Sequence, residues 1–221
     1  MTDLSHRAQS NQTIRELAPE EAAYSAAEAC PDEEQQCRAG AYGMLAQLLR
    51  NPPDEQTLSQ VSGFADVTST ADELALAMSM LGLSATTSRR EAVDDEFHDL
   101  FIGMGRGELV PYGSWYLTGF LMERPLGRLR NDLIALGFQR QEGVTEPEDH
   151  VAALCEVMTM LIQEGRPFQV QSQFFESHMA GWLERFFTDL SEAKSAIFYR
   201  AVGRFGNAFI ALEKRYLNMP V

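Results

Sequence analysis

Residues 146–165 read EPEDHVAALCEVMTMLIQEG and carry the most informative pattern in this chain. Apolar side chains recur at spacings of three and four residues, which predicts one buried face of an α-helix. The apolar stripe consists of Val151, Leu154, Cys155, Met158, Leu161 and Ile162. Gly165 ends the run and Pro167 follows it, as expected at the C-terminus of a helix. The stretch therefore predicts a core helix with an acidic start.

Capping explains most of that acidic start. Thr145 is predicted to be the N-cap, and Glu148, three residues later, completes a capping box. Pro147 falls in the first turn, where its missing N–H is not needed. Carboxylates in that turn face the positive end of the helix dipole. His150 is the residue that capping does not explain.

The composition is that of a globular protein with a strong acidic excess. The 221 residues include 32 acidic and 18 basic side chains, which gives a net charge of −14. This excess disfavours sequence-independent binding to nucleic acid, which needs many Lys and Arg contacts with phosphate. It also disfavours docking on anionic lipid. It favours a cationic partner, or serves solubility alone.

The cysteines and the N-terminal residues predict a cytoplasmic protein. Cys30, Cys37 and Cys155 are an odd number and lack zinc-ligand spacing, so they predict neither a disulfide framework nor a metal site. Residues 1–20 are polar and contain no apolar core of a signal peptide. No apolar run approaches the roughly 20 residues that span a bilayer. Together these features indicate a reducing compartment.

The rest of the chain also has helical spacing. Sustained alternation with a period of two, the signal of a strand, is absent, and residues 1–30 are predicted to be frayed or loosely helical. The sequence therefore predicts an all-α bundle of about eight to eleven helices. The predicted helices cover residues 32–50, 54–63, 70–82, 88–102, 123–137, 147–164, 171–190 and 191–217.

Two segments interrupt this helical pattern. Residues 103–116 (GMGRGELVPYGSWY) contain four glycines and one proline and are predicted to be irregular. Their aromatic side chains either line a groove or pack the loop onto the core. Residues 137–146 are polar and predict a hinge. The hinge divides an N-terminal helical subdomain, residues 1–136, from a C-terminal one, residues 147–221.

No constellation of residues predicts catalysis. Gly103 to Gly107 is rich in glycine, but it follows a helix and lacks the lysine of a phosphate-binding loop. The four histidines, His6, His98, His150 and His178, show no i, i+4 pair for zinc. His178 is predicted to be a core histidine, and no nucleophile lies beside a base. We expect a binding protein without catalytic or metal-binding residues, rather than an enzyme.

Three segments, in this order, resemble the TorD/DmsD/NarJ family of molybdoenzyme-maturation chaperones. The first is FHDLFIG, residues 97–103, followed by PYGSWY, residues 111–116. The second is EPEDH, residues 146–150, which is similar to the family's E-P-x-D-H motif at each fixed position. The third is the aromatic segment 173–186. The resemblance covers residues 97–187.

The resemblance implies a chaperone that binds the twin-arginine signal peptide, or the apoprotein, of a molybdopterin oxidoreductase. Such a chaperone assists cofactor insertion and assembly before export. The resemblance also implies an all-helical fold, and either a monomer or a dimer that exchanges subdomains. The candidate peptide-binding residues are Leu100, Phe101, Tyr112, Ser114, Trp115, Pro147, Asp149 and His150.

These positions suit such a peptide chemically. Asp149 is predicted to pair with an arginine through two hydrogen bonds, and an exposed pair of this kind contributes about 0.2–1 kcal/mol. Phe101, Tyr112 and Trp115 would bury the apolar run that follows the arginines, and His150 would titrate near neutral pH. We therefore assign capping to Thr145 and Glu148, and recognition to Asp149 and His150.

Two alternatives remain open at this point. The glycine-rich loop could serve a GTP-dependent switch, or the protein could be a general assembly factor that binds the mature domain of its client. The chain also departs from the family pattern, because Met104 follows Gly103 and Tyr112 replaces the usual tryptophan. No cofactor of its own is predicted, although contact with the client's molybdopterin guanine dinucleotide stays open. The client enzyme is not specified by these residues.

Overall fold

The computed structural model describes residues 13–16, 32–67 and 72–219. These residues contain ten α-helices, within the predicted range, so the all-α fold class is confirmed. The helices are α1 Glu33–Arg50, α2 Glu55–Ser62, α3 Glu73–Thr87, α4 Arg90–Phe97, α5 Gly113–Thr118, α6 Arg124–Leu136, α7 Val151–Gln163, α8 Phe168–His178, α9 Leu183–Glu192 and α10 Phe198–Leu217. Of residues 1–30, predicted to be frayed or loosely helical, only 13–16 are described, and Ile14–Glu16 form a strand instead of a helix. The other residues of this stretch, with His6 and Cys30, lie outside the described residues.

The chain forms two compact units, each built from two separate segments. Unit 1 holds the described residues up to Ala46 together with Tyr112–His178. Unit 2 holds Gln47–Pro111 and the described residues from Met179 onward. The predicted hinge, residues 137–146, thus falls inside unit 1 rather than between the units. Its action as a hinge stays a prediction.

Unit 1 contains a two-stranded antiparallel ladder that the sequence did not predict. Strand β1, Ile14–Glu16, pairs with β2, Phe138–Arg140, with Ile14 opposite Arg140. Gln141 N donates to Thr13 O at 2.7 Å and extends the ladder. The strands are three residues long and far apart in sequence, so neither shows a period-two pattern. The ladder fixes the first half of the segment predicted as a hinge.

Helix α7 is the central helix of unit 1. Ten of its 13 residues are buried, including all six of the predicted apolar stripe. Burial extends to the opposite face, where Glu156 Oε2 accepts a hydrogen bond from Thr13 N at 3.0 Å. A helix buried on all sides is a core helix. The predicted core position of this stretch is confirmed.

In unit 2, α9 and α10 pack closely. At Gly203 an added Cβ would lie 2.6 Å from the backbone nitrogen of Ser191, so only glycine fits this contact.

The N-terminus of α10 is capped by Glu96 of α4. The buried Glu96 carboxylate accepts hydrogen bonds from the backbone N–H groups of Ile197, Phe198 and Tyr199 at 2.7, 3.0 and 2.7 Å.

Several predicted boundaries differ from the structure. The helix predicted to end at Gly82 runs on to Thr87, and the one predicted from residue 191 begins only at Phe198. The helix predicted over 171–190 is two helices, α8 and α9, with turns at 179–182 that include Gly181, which lowers helix stability. The helix predicted over 88–102 ends as α4 and continues as a π-turn, His98–Ile102. The segment 103–116 is irregular only up to Tyr112, since α5 begins at Gly113.

Candidate functional site

Two of the family-like segments meet in unit 1. Tyr112 and His150 form an isolated antiparallel bridge, and their rings lie 5.1 Å apart in an edge-to-face arrangement. Gly113 N donates to the carbonyl oxygen of Asp149 at 2.9 Å. The structure therefore joins the start of α5 to the start of α7. Six of the eight predicted site residues lie in these two stretches.

Asp149 is buried rather than exposed. Only 3% of the residue is accessible, and its Oδ2 accepts a hydrogen bond from Ser114 N at 2.8 Å, which caps α5. The second carboxylate oxygen, Oδ1, is also buried and has no hydrogen-bond partner in this structure; the same holds for Ser114 Oγ. The sequence predicted that Asp149 pairs with an arginine at an exposed site. The predicted exposure is wrong, and the pairing stays a prediction. Buried polar atoms normally have a partner, so this pair is a candidate ligand contact.

His150 is the N-cap of α7, which corrects the predicted capping box. The helix begins at Val151, and His150 Nδ1 accepts a hydrogen bond from Ala152 N at 3.2 Å. Pro147 lies in the preceding turn, where its carbonyl oxygen accepts from His150 N at 3.2 Å. Thr145 is five residues upstream of the cap. The predicted N-cap was wrong, and the histidine that capping seemed not to explain is itself the cap.

Glu148 has a tertiary role instead of a place in a capping box. Its Oε2 accepts from Arg130 of α6 at 2.9 Å, and Arg140 of β2 lies 3.8 Å from Oε1. The Glu148 side chain is 7% exposed, whereas both arginines are more than one-third exposed. These ion pairs fasten the segment before α7 to its neighbours in unit 1. The predicted capping role of Glu148 is therefore wrong, whereas a recognition role of His150 stays a prediction.

The hydroxyl of Tyr112, where the family usually has tryptophan, has a partner. It donates a hydrogen bond to Glu146 Oε1. Burial raises the pKa of Tyr112 well above its ordinary value, and the hydrogen bond and negative charge of Glu146 raise it further. The phenol therefore stays protonated and serves as a donor. Glu146 orients the ring against His150.

A cavity of about 80 Å³ opens beside Asp149 and Ser114. Its lining adds residues that the sequence did not place at the site, among them Leu117, Arg128 and His178. His178 Nε2 lies 2.8 Å from Asp132 Oδ2. Burial lowers the pKa of His178, and the Asp132 carboxylate opposes this shift. The histidine is therefore largely neutral near pH 7.

A local pattern could have linked one lining residue to a neighbour. Arg128 lines the cavity, and Asp132, which does not, lies four residues later on the same face of α6. The sequence also suggested a core position for His178, which is confirmed by a side chain that is 7% exposed. The tertiary contact with Asp132, 46 positions away, has no sequence signature.

The other predicted site residues have mixed surroundings. Trp115 on α5 and Pro147 are half-buried in unit 1. Leu100 belongs to unit 2, where it is fully buried and its carbonyl oxygen accepts from Leu109 N at 2.8 Å. Phe101, also in unit 2, packs against Phe97 and Tyr199 with ring centroids 4.9 and 5.6 Å apart. A contact of any of these residues with a peptide stays a prediction.

Comparison with known proteins connects this arrangement to a family. The family model described as nitrate reductase delta subunit matches residues 65–188, more than half of the chain. The chain belongs to this TorD/NarJ family of molybdoenzyme-maturation chaperones. The predicted family is therefore confirmed.

Curated relatives and a solved structure agree with this membership. The chaperone protein TorD of Vibrio cholerae is 28% identical over 204 residues, covering 82% of this chain and 92% of that protein. TorD of Aliivibrio salmonicida is 26% identical, covering 81% and 94%. A redox enzyme maturation protein from Archaeoglobus fulgidus shares the fold, with a TM-score of 0.51 at 16% identity, covering 86% and 99%. Because the relatives are chaperones, the expected non-enzymatic role is also confirmed.

The described ranges contain neither a metal-binding cluster nor a membrane-spanning helix. Among residues 13–16, 32–67 and 72–219, no three His, Cys, Asp or Glu side chains are grouped so that they could hold a metal ion. None of the helices in these ranges is long and apolar enough to cross a bilayer.

Proposed function

We propose that this chaperone binds the twin-arginine leader of a molybdopterin oxidoreductase subunit and retains it until the cofactor has been inserted. The observation that carries the proposal is the buried pair of unpartnered oxygens, Asp149 Oδ1 and Ser114 Oγ, at a cavity. The site lies within the segment that is similar to the family's E-P-x-D-H motif. In this proposal the molybdenum cofactor belongs to the client.

A guanidinium group is chemically complementary to these oxygens. It carries five N–H donors and no acceptor, and it binds a carboxylate with directional hydrogen bonds. The burial of Asp149 raises the binding free energy expected from a ligand that donates to its unpaired oxygen. A buried acceptor without a partner costs about 1–3 kcal/mol, so a ligand that satisfies it recovers more free energy than an exposed ion pair would supply. The net charge of −14 also attracts the cationic part of the leader.

Titration of a fluorescent leader peptide tests this proposal directly. Wild-type protein should bind the twin-arginine peptide more tightly than a twin-lysine version, because an ammonium lacks the planar donor fork. Asp149→Asn should weaken binding by about tenfold or more. Glu142→Gln, at an exposed position of the same unit outside the cavity, removes one negative charge and is the matched control. Absence of binding to both the leader and the apoprotein client would reject the proposal.

A general assembly factor would differ in what it recognises. Such a factor would bind the mature domain of the client, and deletion of the leader would leave its affinity unchanged. The leader proposal requires the affinity to fall. One pair of client proteins, with and without the leader, therefore separates the two functions.

The glycine-rich loop gives little support to a GTP switch. Four of its backbone N–H groups already donate within the chain: Gly103 to His98, Gly105 to Gly103, Glu108 to Asp99 and Leu109 to Leu100. A phosphate site needs such groups free to point at the ligand. Isothermal titration with GTP and magnesium should show no binding heat.

Cytoplasmic action and the assembly state are parts of the same proposal. Cys37 is an exposed free thiol and Cys155 a buried one, which suits a reducing compartment. We expect a monomer or a dimer that exchanges subdomains. Light scattering coupled to size exclusion, with and without leader peptide, distinguishes the two states.

A further inference from the structure

Four large apolar side chains are exposed to solvent in the last turn of α5 and just after it. They belong to residues 117–122, here called the apolar turn. Leu117, Phe120, Leu121 and Met122 are 47%, 68%, 48% and 71% exposed. Isolated exposed apolar residues are normal, but a contiguous group of this size marks an interaction surface.

The apolar turn is held in shape by its own hydrogen bonds. The Thr118 hydroxyl donates to Ser114 O at 2.8 Å, and it also lies 3.2 Å from the backbone nitrogen and oxygen of Phe120. Gly119, with φ of 82°, closes the end of α5. Met122 has a φ of 58°, and within the described part of the chain no other residue except glycine has a positive φ. Strained backbone of this kind is concentrated at functional sites.

The apolar turn is continuous with the cavity. Leu117 lines the cavity and follows Ser114 by three residues, so both side chains lie on one face of α5. The acidic end of the site, at Asp149, and its apolar end, at Phe120 to Met122, are therefore parts of one surface within unit 1. That order, acidic and then apolar, is complementary to a peptide in which basic residues precede an apolar run.

We infer that the apolar turn binds the apolar run that follows the arginines of the leader. This inference rests on the proposed function and adds a second contact surface to it, one that the motif residues do not include. A peptide with its arginine at Asp149 then continues past Leu117, which lines the same cavity, onto the turn. The apolar run is thus bound on the surface of α5 and the turn.

The test uses two peptides and three variants of the full chain. One peptide carries the natural apolar run, and the other has serines in its place. The first variant combines Phe120→Ser, Leu121→Ser and Met122→Ser. The second is Asp149→Asn, and the third, Ile134→Ser, is the control. Ile134 is 63% exposed on α6 of the same unit and lies outside the apolar turn.

The triple variant should bind the apolar peptide more weakly by tenfold to a hundredfold, as an order of magnitude. It should bind the serine peptide as wild type does, whereas Asp149→Asn should weaken both peptides and Ile134→Ser neither. Photo-crosslinking from the apolar run should also label residues 117–122 of the wild-type chain.

Three contrary results would lead to different conclusions about the apolar turn and about leader binding. Equal affinity of wild type and triple variant for the apolar peptide would overturn the inference and leave leader binding at Asp149 intact. If the triple substitution instead converts a dimer into a monomer without changing peptide affinity, a second copy of the chain occupies the turn and the inference is wrong. If wild type binds neither peptide, the inference is wrong, and if it also fails to bind the apoprotein client, the proposed function is rejected with it.

Discussion

Ser114 N donates to Asp149 Oδ2 at 2.8 Å, while Asp149 Oδ1, on the same carboxylate, is buried without a hydrogen-bond partner. Oδ2 therefore caps the N-terminus of α5, whereas Oδ1 is buried without a donor. Burial of a charged group in this condition lowers the stability of the free protein. Proteins often retain such a destabilised group where a ligand satisfies it.

We predict that Asp149→Asn raises the free energy of unfolding or leaves it unchanged. The asparagine oxygen can still accept from Ser114 N, and the uncompensated charge is gone, so the expected gain is about 0–1 kcal/mol. Urea unfolding followed by circular dichroism measures it. A loss above about 2 kcal/mol would show that the charge stabilises the fold. Greater stability combined with weaker leader binding would identify a group retained for function.

The cap of α7 supplies a second prediction. His150→Ala removes the acceptor for Ala152 N and should lower the free energy of unfolding by about 0.5–2 kcal/mol. His150→Asn should recover most of this loss, because asparagine is a good N-cap. Thr145→Ala is the control, since the exposed Thr145 lies outside the helix. Equal losses for His150→Ala and Thr145→Ala would contradict the observed cap.

The sequence located α7 but not its first residue, for a physical reason. A buried helix face requires apolar residues at helical spacing, and the stripe from Val151 to Ile162 shows that spacing in the sequence. The Thr145-to-Glu148 spacing also fits a capping box, yet Arg130 and Arg140 hold Glu148 in another position. Tertiary ion pairs of this kind are not encoded in local spacing.

The candidate site was predictable to a similar extent. The motif around Asp149 and the segment around Tyr112 were both found, and the structure brings them together. The cavity itself depends on side chains from α6 and α8, which meet it only after folding. The ladder between β1 and β2 was missed because its strands are too short to show alternation.

Glu96 provides a third prediction, in unit 2. Glu96→Ala leaves three backbone N–H groups at the N-terminus of α10 without their acceptor, and should cost about 2–4 kcal/mol. Glu96→Gln keeps one good acceptor and should cost less. Asp95→Ala, at the exposed neighbouring position, serves as control and should change stability by about 0.5 kcal/mol or less. Thermal unfolding ranks the three variants, and a mild Glu96→Ala effect would contradict the cap.

The pH dependence of stability supplies a fourth prediction through Glu108. Burial raises the pKa of Glu108, but hydrogen bonds from the backbone N–H groups of Lys194 and Ser195 outweigh it, and the net pKa lies below its ordinary value of 4.5. The unfolded chain therefore takes up this proton first as the pH falls. The stabilisation is complete above pH 4.5 and is lost as the pH falls through the folded-state pKa.

Urea midpoints of wild type and Glu108→Gln, measured from pH 7 to pH 3, isolate this contribution. Wild type should be the more stable protein at pH 7, and the difference should shrink below pH 4.5. A difference that is constant across this range would show that the charge of Glu108 does not contribute to stability. The side chain is exposed, so solvent screening keeps the effect small.

Met122 yields a fifth prediction, which separates backbone strain from side-chain contact. Its φ of 58° is unfavourable for a residue with a Cβ, so Met122→Gly should raise the free energy of unfolding by about 1 kcal/mol. Leu121→Gly is the matched control; its φ is not positive, and it should be neutral or destabilising. Urea unfolding compares the two. If Met122→Gly destabilises the protein as Leu121→Gly does, the positive φ is not a source of strain. If it stabilises the protein and weakens leader binding, the strained backbone holds a side chain that the leader contacts.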